Sequence, residues 1–341
     1  MPRESLSTLD DLRDRAFGCL LGAAIGDAMG APHEGRSATE IRAEHGRLTG
    51  FTSDQSIGTD DTEFTLFNAH ILLTHGPDVT MDQIEAEWRD KLLAPGRPYR
   101  PGGFSDVIST RNLAAGLHPP ASGSFNHQMW SDGVAMAIGP AGVISPGNPA
   151  QAAGLAEKLG QISNGRDGIY TAQAVAAAVS LAMTGTSLDE MMTAALHAVP
   201  ADSWTRRALD QAQAVAAASP NLDAALAELD RTLVVHYWPW ADLATEAVAL
   251  AFGVFLAAEG DFARAVPAGI SLGRDADTIG AIVGSLAGAY GGRRAIPDAW
   301  AERVQTVPGK CIGFLAGQRI ETAAHGLADI AFARKSTGEG R

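Results

Sequence analysis

From residue 150 onward the chain is one alanine-rich helical pattern after another, and this succession limits the fold more than any other feature. PAQAAGLAEKLGQIS, YTAQAVAAAVSLAMTG, SLDEMMTAALHAV, RRALDQAQAVAAAS, NLDAALAELDRTL, EAVALAFGVFLAAEG, DFARAVPAGISLG and ADTIGAIVGSLAGAYGG follow at short intervals. Several are bounded by Asn, Asp, Ser or Gly, the residues that start and stop helices. Strand signals are scarce, and VVHYW near Val234 is the one short candidate. Small side chains let helices approach closely, so the expected fold is all-α, a compact multi-helix bundle.

The first third reads differently. Ser7, Thr8 and Asp10 offer capping oxygens to a helix beginning at Leu9 to Leu12. RAFGCLLGAAIGDAMGAPHE continues as a helix rich in small residues and breaks near Gly30-Ala31-Pro32. A second helix is expected from Asp60, with Phe64, Phe67, Ile71 and Leu72 at helical spacing and Gly76-Pro77 as its stop. Residues 95 to 150 crowd Pro, Gly, Ser and Asn into loops, and long loops inside a compact domain are often functional. With no fixed-period repeat and no long linker, the chain reads as a lead over 1–12, a single domain over 13–333 and a disordered tail over 334–341.

The balance of 26 Lys+Arg against 39 Asp+Glu gives a formal charge of -13, which argues against nucleic acid or acidic lipid as a partner. With only Cys19 and Cys311, cysteine-cluster zinc chemistry is excluded, and two buried free thiols are expected. The charged opening MPRESLSTLDDLRDR has no apolar run of the signal-peptide kind, and no segment is long enough to span a bilayer. A cytoplasmic location is the expectation, as a monomer or small homo-oligomer.

Two acidic clusters carry the chemistry: Gly58-Thr59-Asp60-Asp61-Thr62 and Gly273-Arg274-Asp275-Ala276-Asp277-Thr278. Each sits where a glycine-bearing loop enters a helix. One reading is capping, since Asp and Thr suit a helix N-terminus. The other is a cation site, since packed carboxylates repel unless neutralised, and all-oxygen donors select magnesium, calcium or manganese. Asp275-x-Asp277 can point both side chains at one site. Adjacent Asp60 and Asp61 diverge along a helix and could serve two ions.

GTDDTEFT and GRDADTIGAIVGSLAGAYGG resemble the two signature stretches of the ADP-ribosylglycohydrolase family. GCLLGAAIGDAMGAPHE is similar to that family's first helix. The stretch PPASGSFN…WSDGVAMAIGPAGVISPGNPAQAA…DGIYTAQAVAAA follows its pattern as well, so the likeness runs in order from about Arg15 to about Trp300. The resemblance implies an all-α orthogonal bundle with a binuclear magnesium centre, manganese being the other candidate. It implies Thr59, Asp60, Asp61, Asp275, Asp277 and Thr278 as metal ligands, and Glu34, Asp61 and Asp275 as catalytic residues. Asp27 matches a family position and reads as a structural hydrogen-bond acceptor. The implied reaction is hydrolysis of an ADP-ribosyl N- or O-glycosidic bond by a metal-positioned water. The substrate would be an ADP-ribosylated protein or a ribosylated small molecule. A glycohydrolase acting on another ribosylated compound, a nucleoside or nucleotide, is the first alternative. A silent binding or structural member is the second.

The sequence departs from the family pattern twice. Ser163-Asn164 stands where many members carry Thr-His or Ser-His, and Trp130-Ser131-Asp132-Gly133-Val134-Ala135-Met136-Ala137 stands where a richer glycine loop is usual. Asn cannot carry charge, and Asp132 repels phosphate unless it faces away. Arg166 could supply a positive charge or simply be solvated. The expected substrate-binding set is Asp106, Phe125, Trp130, Ser131, Gly133, Asn164 and Tyr170, with Phe104 also able to stack on a base. His33, His118 and His127 are scattered on loops, Trp238 and Trp240 read as core or rim, and Glu246 reads as structural.

Overall fold

A computed structural model describes residues 8–337, with side chains through 335. Ser7, the rest of the expected lead before it and tail residues 338–341 lie outside the described residues. Seventeen α-helices occur among the described residues, with no sheet and only four isolated bridges. VVHYW forms no strand. Val234 ends the Leu222–Leu233 helix, and Val235 N–H donates to Glu246 Oε2 at 2.5 Å. The final helix, Ile320–Thr337, runs into the stretch expected to be disordered.

The first helix, Leu9–Gly30, starts on a reciprocal cap: Thr8 Oγ1 accepts from Asp11 N–H at 3.1 Å and Asp11 Oδ2 accepts from Thr8 N–H at 3.3 Å. Leu9 to Leu12, within the expected lead, already form the first turn of this helix. The helix ends in a tight turn at Ala31–His33, where Pro32 prevents its continuation.

Its glycines decide the architecture. Gly22 and Gly26 meet Gly284 and Gly280 of the Ala276–Gly291 helix, so the two helices run antiparallel with backbones in contact. A Cβ on Gly26 would lie 1.9 Å from the Gly280 carbonyl oxygen, and one on Gly22 would lie 2.2 Å from that of Gly284. No other residue fits there. This pair forms the centre of the molecule, and it places Asp27 and Asp277, the chain neighbours of this seam, face to face.

The Asp60–His75 helix packs beside them with Phe67, Ile71 and Leu72 fully buried. Buried Glu63 fixes its register by accepting from the Lys310, Cys311 and Ile312 amides. The helix stops at Gly76, whose φ of 74° suits glycine. Cys19 and Cys311 are buried free thiols, as their surroundings imply. No described helix is long and apolar enough to cross a membrane.

Candidate active site

The C-terminal end of the first helix, the N-termini of two others and two loops close around one cavity of about 330 Å³. The first helix holds Asp27, fully buried behind the wall in its last turn, and past its end supplies Glu34 to the cavity. The second contributes Asp60 and Asp61, and the Ala276–Gly291 helix contributes Asp275, Asp277 and Thr278. The segments 102–107 and 131–136 supply further wall.

The capping reading of the two signatures does not hold. Thr59 and Asp275 occupy the N-cap positions, yet neither side chain caps its helix. Thr59 Oγ1 instead donates to Asp27 Oδ1 at 2.8 Å, and Thr278 Oγ1 donates to Asp61 Oδ1 at 3.1 Å. Each hydroxyl spends its proton on a carboxylate and keeps its lone pairs for another partner.

Carboxylate oxygens of Asp27, Asp61 and Asp277 lie within 4.8 Å of one another, as do those of Glu34, Asp275 and Asp277. Asp277 belongs to both groups. All donors are oxygen, which suits a hard divalent cation. Asp60 belongs to neither group. It diverges from Asp61 as adjacent helical residues must, lines the same cavity, and has Gly102 packed directly on its carboxylate. Asp27 accepts four hydrogen bonds, from N–H and hydroxyl of both Thr59 and Thr62, so its main work is to hold the start of the Asp60 helix.

Electrostatics make the cluster costly. Eight carboxylates line the cavity: Glu34, Asp60, Asp61, Asp106, Asp132, Asp242, Asp275 and Asp277. No Lys, Arg or His lines it among the described residues. Burial, then Asp277 and the neighbouring aspartates, hold Asp61 well above the carboxylate range. Burial, then Asp275 and Glu34, do the same to Asp277. Asp27 is pushed up to about 6 by burial, against the pull of its threonine hydrogen bonds, and Asp106 is pushed up to about 6 by burial as well.

A pH dependence follows. These groups hold their protons more tightly folded than unfolded, so their contribution is present below the ordinary value of 3.8 and is lost as pH rises through about 6. A bound cation removes that loss. The melting-temperature gap between magnesium-loaded and EDTA-treated protein is expected to widen as pH rises from about 4 to about 7. A gap that stays flat or narrows over that range contradicts this electrostatic account.

Of the expected substrate-binding residues, Asp106, Ser131 and Gly133 line the cavity. Phe125, Trp130, Asn164 and Tyr170 do not. Phe125 is 72% exposed beyond the Ala121–Ser124 turn. Trp130 packs edge-on against Trp238, and Tyr170 packs on the core. Asn164 is buried, with its Nδ2 donating to the Ser131 carbonyl at 2.8 Å. Arg166, His33, His118 and His127 are also absent from the wall.

Sequence reading missed Asp242 and took Trp240 only as core or rim; both line the cavity. A backbone bridge between Ser131 and Leu243 brings their loop there. Arg274 holds that loop. Its guanidinium binds Glu246 Oε1 at 2.7 Å and donates to the Trp238 and Trp240 carbonyls, while its backbone pairs with Gly35 and Arg36 beside Glu34. Asp132 faces the cavity, where burial, then Asp242, raise it well above the usual range.

An all-helical bundle with an oxygen-lined acidic cleft, built from two distant Asp-rich helix starts, is an arrangement able to hold hard divalent cations. The comparisons narrow it. The ADP-ribosylglycohydrolase family profile matches residues 8–337, and the chain belongs to that family. It is 28% identical over 303 residues to an uncharacterised protein of Archaeoglobus fulgidus, covering 85% of this chain and 92% of that one. Among solved structures, it superposes on an "ADP-ribosylglycohydrolase-related protein complex" with a TM-score of 0.65 and 24% identity. That match covers 94% of this chain and 99% of that one and speaks to the fold alone.

Proposed function

We propose that the chain is a magnesium-dependent glycohydrolase that breaks the N- or O-glycosidic bond of an ADP-ribosyl or related ribosyl group. The convergence of eight carboxylates on a cavity without a facing cationic side chain carries this reading. Such a wall is unfavourable until cations neutralise it. Thr59, Asp60, Asp61, Asp275, Asp277 and Thr278 would hold two magnesium ions, with manganese able to serve in their place. When bound, the pair supplies charge neutralisation, orientation of ribose hydroxyls and activation of a water.

The chain's own residues supply the rest. Asp61 and Asp275 stabilise the positive character that develops on the sugar as the leaving group departs. Glu34 stands at the mouth, where partial burial and then Asp60 raise its pKa, as befits a group that holds or moves a proton.

The test is hydrolysis of ADP-ribosyl-arginine, ADP-ribosyl-serine and free nucleosides with magnesium, manganese or EDTA. Turnover of at least one of them, abolished by EDTA, is expected. Magnesium binding without any turnover would instead place the chain among silent members. Glu34→Gln is expected to keep magnesium affinity within about threefold and lose about 10²-fold or more in kcat, the usual scale of acid–base catalysis. Full activity in a folded, metal-binding Glu34→Gln protein would remove the role.

A further inference from the structure

Two sides of the cleft are built from segments of different character. On the metal side, Gly273 and Arg274 lie antiparallel against residues 35–37, next to Glu34. The mouth side is the irregular stretch 235–243, which brings Trp240 and Asp242 to the cavity wall. Its ends are anchored. Val235 N–H donates to Glu246 Oε2, Leu243 bridges to Ser131, and the Asp242 carbonyl accepts from Asp132 N–H at 3.3 Å. Between the anchors, Trp238 N–H donates to the Val235 carbonyl inside the same stretch, and the Trp238 ring packs edge-on against Trp130 and Trp240.

One side chain ties the middle of this stretch to the metal side. Arg274 Nη1 donates to the Trp238 carbonyl at 3.3 Å and Nη2 to the Trp240 carbonyl at 2.9 Å, while Nε donates to buried Glu246 Oε1 at 2.7 Å. The fork of the guanidinium makes all three bonds possible at once. Arg274 is not part of the cavity wall, so its charge is used on Glu246 rather than on the contents of the cleft. Its φ of 59° lies in the left-handed region, where glycine is easier to hold. Glycine there would keep the backbone bonds to Gly35 and Arg36, at 2.8 and 2.7 Å. What arginine adds is the side-chain tie, and strained residues of this kind gather at functional sites.

We infer that Arg274 is a positioning residue whose side chain locks the Trp240–Asp242 wall to the metal side, setting affinity for the ribosyl substrate while leaving cation uptake alone. The inference rests on the metal-dependent glycohydrolase reading above. A substrate with its sugar at the carboxylates reaches from there toward the mouth, so the two sides must be held at one spacing. Without the tie, the mouth side must be ordered each time substrate binds, and that cost lowers affinity. Ordering completed on binding changes KM and leaves kcat in place.

Removing Arg274 alone strands a buried carboxylate, so the test variant combines Arg274→Gly with Glu246→Gln, which keeps an acceptor for Val235 N–H. Arg274→Lys is measured beside it. In the full-length, magnesium-loaded protein, the double variant should raise KM about tenfold or more for whichever of ADP-ribosyl-arginine, ADP-ribosyl-serine and adenosine is hydrolysed. Its kcat and magnesium affinity should stay within about threefold of wild type. Arg274→Lys, whose single ammonium can pair with Glu246 but lacks the fork, should fall between the two. Amide hydrogen exchange should quicken about tenfold over 236–242 in the double variant and stay unchanged over 276–291. An unchanged KM, a kcat or magnesium affinity that falls along with it, or unchanged exchange over 236–242 overturns the inference and leaves the metal reading standing. A wild-type chain that hydrolyses none of the three compounds removes the underlying reading, and exchange alone then decides the tie: faster exchange keeps it, unchanged exchange overturns it.

Discussion

Gly26→Leu is expected to destabilise the protein by at least about 3 kcal/mol and to abolish magnesium binding together with the fold. The first added carbon would sit 1.9 Å from the Gly280 carbonyl oxygen, a backbone atom that cannot swing aside. The two central helices must then separate, and Asp27 and Asp277 separate with them. Even Gly26→Ala should lower the urea midpoint clearly. Gly154→Ala is the control, because nothing lies within 4 Å of its added carbon in the Pro149–Gly160 helix. There the same change should be neutral or stabilising by up to about 1 kcal/mol. Equal midpoints for the two alanine variants would contradict the backbone seam.

Asp277→Asn should have the opposite effects on stability and function. Asp277 is shared by both carboxylate groups, so losing its charge weakens both places where a cation fits. Hydrolysis should fall about 10³-fold or more, in line with the several kcal/mol that metal-assisted charge stabilisation contributes. The cation-free protein should become more stable, because burial and the neighbouring carboxylates Asp275 and Glu34 make an ionised Asp277 unfavourable. In a chain of this length each kcal/mol relieved raises the melting temperature by about 1–2 °C. Circular-dichroism melting in EDTA measures this, and a fall in melting temperature would assign Asp277 a supporting structural role instead.

The fold class was readable in the sequence because helical period, caps and the scarcity of strand residues agree locally. The helix from Asp60, its stop at Gly76 and the Asp-rich starts all needed only neighbours in the chain. The Gly18, Gly22 and Gly26 spacing was visible too, but its meaning depends on Gly280, Gly284 and Gly288, far away in sequence. VVHYW shows the limit of local pattern. Its β-branched start lost to the end of a helix and the bond from Val235 to Glu246.

The cavity wall was harder to read for a related reason. It is assembled from loops whose positions depend on pairings such as Ser131 with Leu243 and Arg274 with Glu246. Phe125, Trp130, Asn164 and Tyr170 lie close in sequence to wall residues, but backbone direction turns their side chains elsewhere. Asp242 carries no motif of its own. Only the fold puts it beside Asp132.

The most direct measurement is a calorimetric titration of EDTA-stripped protein with magnesium, repeated with manganese. Filling of two sites, with a rise in melting temperature that Asp277→Asn largely removes, is the predicted result. A protein that takes up neither ion at millimolar concentration, and melts identically with and without them, would contradict the assignment of this cleft.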